Sequence, residues 1–190
     1  MKKNNHKPLF VTGNAHKARY FSRLIGIEID HKKIDLEEIQ TTDMKKLNED
    51  KARRAYEITK RPVIVEDVGL FFDAWGGLPG PFIKFFVEQP NGLANICRML
   101  DGFPTRRART VVMTTYFDGT DFTHFEGGWH GEVAHSPRGN GGFGYDAIWC
   151  VDGYDGRTRA ELTVEEDEES YRNARPLTEM IAFFRGQGYE

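Results

Sequence analysis

Several short stretches of this 190-residue chain set reactive side chains beside glycines or apolar runs. The first is Thr12-Gly13-Asn14-Ala15-His16-Lys17, between an apolar run and a helical repeat. Amides at a helix N-terminus point outward and attract phosphate, Gly13 allows close approach to the backbone, and Lys17 adds a mobile cation. The same residues also read as a tight strand-to-helix turn capped by Asn14. The stretch lacks the glycine loop of a Walker A motif, and its single glycine excludes the Rossmann fingerprint. The second is Val65-Glu66-Asp67-Val68-Gly69, with two acids directly after an apolar strand. Such carboxylates either hold Mg²⁺ and orient a water for attack on phosphorus, or are ordinary solvated acids. Glu37-Glu38, after another predicted strand, offers similar metal ligation.

Lysines come next. Lys84 sits in Phe82-Ile83-Lys84-Phe85-Phe86, where it either snorkels to the surface or faces a charged ligand. Lys51, in a basic helix, carries the same two readings. Further on, Pro137-Arg138-Gly139-Asn140-Gly141-Gly142-Phe143-Gly144-Tyr145-Asp146 is either a flexible loop or a ligand cradle, in which Phe143 stacks on a base.

The elements that must position these residues follow from periodicity. Pro8 to Thr12 reads as a buried strand, and Ala18, Phe21, Leu24 and Ile25 recur at helical spacing before Gly26. A second strand is predicted over Ile27 to Ile34 and a second helix over Met44 to Lys60. Val63-Ile64-Val65 follows as a short central strand. Trp75 to Pro81 is turn-rich, Phe82 to Val87 resumes order, and Gly92 to Leu100 is helical. Arg109 to Phe117 is a strand that turns at Asp118-Gly119 into a return strand, Asp121 to Phe125. A strand at Gly131 to Ala134, a capping box at Thr163 to Glu166 and a final amphipathic helix around Leu177 to Phe184 complete the reading. Strand and helix alternate at first and strands dominate the middle, so the prediction is one α/β domain over 1–190. It has two lobes on one sheet.

Composition narrows the function classes. The chain is 39% hydrophobic and 13% aromatic with a net charge of −3, which excludes disorder. No apolar run approaches the ~18 residues of a membrane helix. The basic start is followed only by Leu9-Phe10-Val11, short of the about 7–15 apolar residues a signal peptide needs. Cys97 and Cys150 are far apart, form no metal-like cluster and fit a reducing, cytoplasmic setting. Residues 1–62 hold 15 Lys/Arg against 9 Asp/Glu, and residues 63–190 hold 11 against 20. That distribution argues against a stable nucleic-acid partner and suits a small polyanion with a cation. Ordinary surface variation gives the same pattern.

Taken together and in order, four segments resemble the inosine-triphosphate pyrophosphatase family. They are Thr12 to Lys17, Val65 to Leu70, Gly76-Gly77-Leu78-Pro79-Gly80-Pro81-Phe82-Ile83-Lys84, and Phe143 to Asp146. The resemblance runs from Phe10 to the last helix. It implies an elongated two-lobed α/β fold with a long central mixed sheet and an active-site cleft between the lobes, in a homodimer. It also implies Mg²⁺-dependent cleavage of a nucleoside triphosphate to the monophosphate and pyrophosphate. On this basis Thr12, Gly13, Asn14, Ala15, His16 and Lys17 hold the triphosphate, and Lys51 and Lys84 neutralise it. Asp67 is general base and metal ligand, with Glu38 and Glu66 as further metal-associated acids. Phe143, Gly144, Tyr145 and Asp146 line the base and sugar pocket.

Two departures from the family pattern bear on the expectation. Val68 stands where many members carry Ser or Thr, removing a hydroxyl beside the substrate. Where the family shows a lysine and then Ser-His-Arg, this chain has Glu165-Glu166-Asp167-Glu168-Glu169-Ser170-Tyr171-Arg172. Arg172 matches the arginine, Tyr171 replaces the histidine and Asp167 replaces the lysine. Either the acids form the solvated first turn of a helix, or Asp167 faces the base and accepts where the family donates. With Tyr171 and Arg172 as donors, inosine and xanthosine triphosphates are expected to remain preferred over adenosine triphosphate, by a reduced margin.

Overall fold

The computed structural model describes residues 7–13 and 15–189. The apolar triplet Leu9–Val11 is buried throughout as strand β1, and helix α1 (Ala15–Ile25) turns Ala18, Phe21, Leu24 and Ile25 inward. Strand β2 is only Asp30–Lys32, shorter than its apolar pattern predicts. Ile27 and Ile29 pack into the core instead of extending the ladder. Helix α2 (Met44–Thr59) starts where Asp43 accepts hydrogen bonds from the Lys45 and Lys46 amides, and ends at Lys60 in the left-handed region. Its buried side carries Met44, Leu47, Ala52 and Ala55.

Strand β3 is ten residues long, Val63–Phe72. The predicted strand stopped at Val65, but the structure continues through Glu66 and Asp67, so these acids lie mid-strand rather than after it. They remain in the strand because each meets cationic side chains instead of water. Beyond it come β4 (Pro79–Gly80), the short helix α3 (Ile83–Val87), α4 (Gly92–Met99), β5 (Arg107–Phe117), β6 (Phe122–Gly127) and β7 (His130–Val133). The chain closes with β8 (Trp149–Val151), a 3₁₀ turn at Arg159–Glu161, α5 (Val164–Asn173) and α6 (Leu177–Gly186). At the β5–β6 turn the Asp118 carboxylate accepts from the amides of Thr120 and Asp121 at 2.7 and 2.8 Å. Gly119 there has φ +106, and a Cβ on it would strike the Tyr56 ring.

The strands form one mixed sheet in the order β2-β1-β3-β5-β7-β8, with β4 on β3 and β6 on β5. The β2-β1-β3 portion is parallel, while β3/β4, β5/β7 and β7/β8 are antiparallel. This is an α/β architecture. By contact the chain forms two compact units. The first comprises the N-terminal part through Asp67, Met113–Gly127 and the segment from Arg175 onward. Phe10, Phe21, Ile64, Tyr116, Met180 and Phe184 form its core, each worth about 1.5–3 kcal/mol relative to exposure. The second comprises Val68–Val112 and Gly128–Ala174, around Leu70, Phe72, Ile96, Leu100, Ile148 and Trp149. Among the described residues no helix is long and apolar enough to cross a membrane.

Candidate active site

Alternation along β3 sends the adjacent acids Glu66 and Asp67 to opposite sides of the strand, and their partners differ accordingly. Glu66 is fully buried. Arg175, itself 2% exposed, donates from Nε to Oε2 at 3.0 Å and from Nη2 to Oε1 at 2.8 Å. Thr114 Oγ1, from β5, donates to Oε2 at 2.9 Å. Lys17 Nζ, from the first turn of α1, lies 3.0 Å from Oε1 and donates to the Glu66 backbone carbonyl at 3.2 Å. Burial alone would push this carboxyl up, but Arg175 and then Lys17 outweigh it and hold Glu66 well below the ordinary carboxylate range. The sequence suggests Glu66 as a metal-associated acid; here its partners are Arg175, Lys17 and Thr114. Both its oxygens are engaged, and its evident work is to fix Lys17.

On the other side of β3, Lys51 Nζ from α2 bridges two carboxylates, at 2.7 Å from Asp67 Oδ1 and 2.7 Å from Glu38 Oε1. Burial opposes the ammonium charge, but Asp67 and Glu38 more than offset it and raise Lys51 above its ordinary value. Asp67 Oδ2 is buried with no hydrogen-bond partner among the described residues. A buried, unsatisfied carboxylate oxygen is costly unless something binds it, and two carboxylates converging on one cation form a hard oxygen donor set. That set suits Mg²⁺, which takes one or two carboxylates and fills its remaining positions with phosphate oxygens and water. Among the described residues no group of three or more His, Cys, Asp or Glu gathers into a self-contained metal site.

Of the expected phosphate-binding segment, Thr12 donates its amide to Lys32 O at 3.3 Å and accepts at its carbonyl from the His31 ring at 2.8 Å. Gly13 is exposed. Asn14 and the side chains of Ala15 and His16 lie outside the described residues. Lys17, Glu38, Lys51, Glu66 and Asp67 all belong to the first unit.

Other predicted residues belong to the second unit. Lys84 is three-quarters exposed on α3, with its ammonium 3.7 Å from Glu88. Val68 is half-buried in β3. Phe143 is 74% exposed at the tip of the glycine-rich loop, and its amide donates to Asp146 Oδ2 at 2.9 Å. Gly142 packs so tightly on Asp146 that a Cβ would collide with the carboxylate, and its φ of +70 demands glycine. Tyr145 packs against the apolar core of this unit. Burial pushes the Asp146 carboxyl up, against the opposing pull of Arg159. Tyr171 is half-buried and Arg172 exposed, both on α5.

Asp167 takes a role that its sequence position conceals. It pairs with Arg159, at a hydrogen-bonding contact from Nη2. Thr163 and Glu166 form the predicted capping box, so the acidic run does open a helix, yet Asp167 within it is not merely solvated. Arg175, Thr114 and Arg159 were all missed by sequence reasoning. An acid inside an apolar strand signals that a buried cation must exist somewhere, but nothing local distinguishes Arg175 from Arg172. Arg159, in Thr158-Arg159-Ala160-Glu161, reads as an ordinary surface arginine.

Known proteins of similar sequence and fold supply an independent comparison. A model of the Ham1 family matches residues 9–183. Inosine triphosphate pyrophosphatase 1 of Trypanosoma cruzi is 40% identical over 95% of this chain and 93% of its own length. The dITP/XTP pyrophosphatase of Methanopyrus kandleri is 38% identical over 84% of this chain and 86% of its own. Among solved structures, a HAM1 protein from Coxiella burnetii superposes with a TM-score of 0.83 at 24% identity, over 95% of this chain and 100% of that one. A nucleoside-triphosphatase / dITP/XTP pyrophosphatase from Mycobacterium abscessus gives a TM-score of 0.74 at 26% identity, over 94% and 98%. With the family model matching residues 9–183 and a relative 40% identical over nearly the whole length, this chain belongs to the Ham1 family.

Proposed function

We propose that the chain hydrolyses non-standard purine nucleoside triphosphates, namely inosine, deoxyinosine and xanthosine triphosphates (ITP, dITP, XTP). The products are the nucleoside monophosphate and pyrophosphate. The observation that carries this reading is the convergence of Glu38 and Asp67 on one cation, with an oxygen of Asp67 left unsatisfied. Family membership and the printed activities of the relatives support it.

In this reading Asp67 and Glu38 hold Mg²⁺, which when bound neutralises phosphate charge. Lys17, fixed by Glu66, and Lys51 face the triphosphate, and Lys84 adds a further cation. The Thr12 to Lys17 segment contributes backbone amides. Asp67 orients a water and accepts its proton as the water oxygen bonds to phosphorus. The anhydride bond to the departing pyrophosphate then breaks. Phe143 to Asp146 contact the base and sugar, with Tyr171 and Arg172 as donors toward the base. A homodimer and a cytoplasmic location complete the proposal, and a monomeric mass in light scattering at micromolar concentration would refute the former.

A second reading, a related pyrophosphatase with another base preference, is favoured by Asp167 standing where the family's lysine is expected. The discriminating experiment follows pyrophosphate release from ITP, XTP, dITP, adenosine triphosphate (ATP) and pyrimidine nucleotides, with Mg²⁺ and with chelator. The expected result is Mg²⁺-dependent release with higher kcat/KM for ITP and XTP than for ATP. No pyrophosphate from any nucleotide would overturn the activity, and equal or faster hydrolysis of ATP would overturn the base preference.

A further inference from the structure

The second unit contains a buried cation that the catalytic reading does not use. Arg159 is 7% exposed. Its guanidinium carbon stands 4.6 Å over the centre of the Trp129 ring, and Trp129 is tied to α5 by donation from Nε1 to Ser170 O at 2.9 Å. Nη2 contacts Asp167, and Nη1 lies 3.7 Å from Asp146 Oδ1. The remaining nitrogen, Nε, is buried with no hydrogen-bond partner among the described residues. Such an N–H is destabilising while it stays unsatisfied.

The turn that carries Arg159 is held by several hydrogen bonds. Thr158 and Glu161 form a reciprocal capping box, and Thr158 Oγ1 donates to Arg138 O at 2.9 Å. The Gly141 amide donates to Ala160 O at 3.0 Å, which ties the turn to the glycine-rich loop. Asp146 touches both parts, since one of its oxygens faces Arg159 and the other accepts the amide of exposed Phe143. A ring available for stacking and a buried donor are thus joined through one carboxylate.

We propose that Arg159 is the specificity-determining residue for the purine, donating from Nε to the 6-keto oxygen of a base stacked on Phe143. The inference rests on the proposed pyrophosphatase activity and identifies which group reads the base. A keto oxygen would satisfy the orphaned N–H. The 6-amino group of adenine would set N–H against N–H and leave the donor unsatisfied. Asp146 and Asp167, the neighbouring acceptors for such an amine, are turned toward Arg159 and the Phe143 amide. Asp167 therefore does not face the base as an acceptor; it holds the guanidinium in place.

The test is a cycle in kcat/KM between Arg159 and the 6-position. Wild type and Arg159→Gln are each assayed with ITP and with purine riboside triphosphate, which lacks any 6-substituent. Wild type should prefer ITP by about tenfold or more, as expected for a site built around a hydrogen bond. In Arg159→Gln that preference should fall toward unity. The double variant Arg159→Gln/Asp167→Lys, which returns a cation from α5, should regain part of it. An equal ITP preference in wild type and Arg159→Gln would overturn the proposal. If Arg159→Gln proves unfolded by circular dichroism, Arg159→Lys enters the same cycle, since it keeps the charge and loses the Nε donor. Absence of pyrophosphate from every nucleotide would instead overturn the activity itself.

Discussion

The two units bury charge in opposite ways. In the first, one carboxylate, Glu66, is met by two cations and a hydroxyl. In the second, one guanidinium, Arg159, is met by two carboxylates. The first cluster is complete, because both oxygens of Glu66 accept and its proton affinity falls well below the ordinary value. The second is incomplete, because Arg159 retains an N–H with no partner among the described residues and burial raises the proton affinity of Asp146. A buried ion whose partners saturate it is a fixture that positions its neighbours. One that keeps an unmet hydrogen bond has room for a further partner, which the proposed base contact would supply.

The comparison is broken most forcefully at Glu66. Replacing it by Gln strips the counter-charge from a buried arginine and from Lys17, and should cost about 3–5 kcal/mol of stability in denaturant titration. The pH dependence carries a definite sign. The folded carboxyl is more acidic than the unfolded one, so the wild-type advantage is full at neutral pH. It shrinks as pH falls below about 4.3, where the unfolded glutamate takes up a proton, and vanishes once the folded one does too. An advantage that grows on acidification would contradict the assignment.

Asp67, one residue along, should behave differently. Asp67→Asn is expected to cut turnover by about a hundredfold or more while nucleotide binding stays measurable. Near-wild-type hydrolysis would remove Asp67 from the mechanism. Asp146 sharpens the contrast at smaller amplitude. Its folded carboxyl is less acidic than the unfolded one, so its ionisation disfavours folding as pH rises past about 3.9. The stability of Asp146→Asn relative to wild type should therefore climb between acid and neutral pH, opposite in slope to the Glu66 case. The smallest effect is expected at Val68, where Ser should change turnover within about tenfold, or about 1.4 kcal/mol of barrier. A change of several orders of magnitude would mean that this part of β3 is misread.

Much of the scaffold is legible in the chain because its causes are local. Helix α2 begins at a capping aspartate and ends before Pro62, and Asp118-Gly119 sets its turn through its own carboxylate and the freedom of glycine. The capping box at Thr163 and Glu166 is equally local. What escapes the sequence is decided by partners far along the chain. Strand β3 runs through two acids because Arg175, Thr114, Lys17 and Lys51 receive them, so a pattern read from polarity ends the strand too soon. Strand β8 is three residues with no period to detect, and its pairing with β7 supplies what its length lacks. The acidic run around Asp167 fits a solvated helix start, and only the approach of Arg159 separates that residue from its neighbours.

The Glu66 cluster also has a history within each molecule. Its partners lie 49 residues before it, 48 after it and 109 after it. At about 5–20 residues per second of synthesis, the 109 residues to Arg175 keep the carboxylate waiting several seconds for its strongest partner. Sequestering it earlier would cost several kcal/mol for the uncompensated ion. The middle of β3 must therefore stay open to water until the C-terminal segment docks, a closure of high contact order that comes late. On the proposed function, the Lys17 ammonium is held ready for a phosphate only where Glu66 is itself buried, so this part of triphosphate binding arrives with the completed fold.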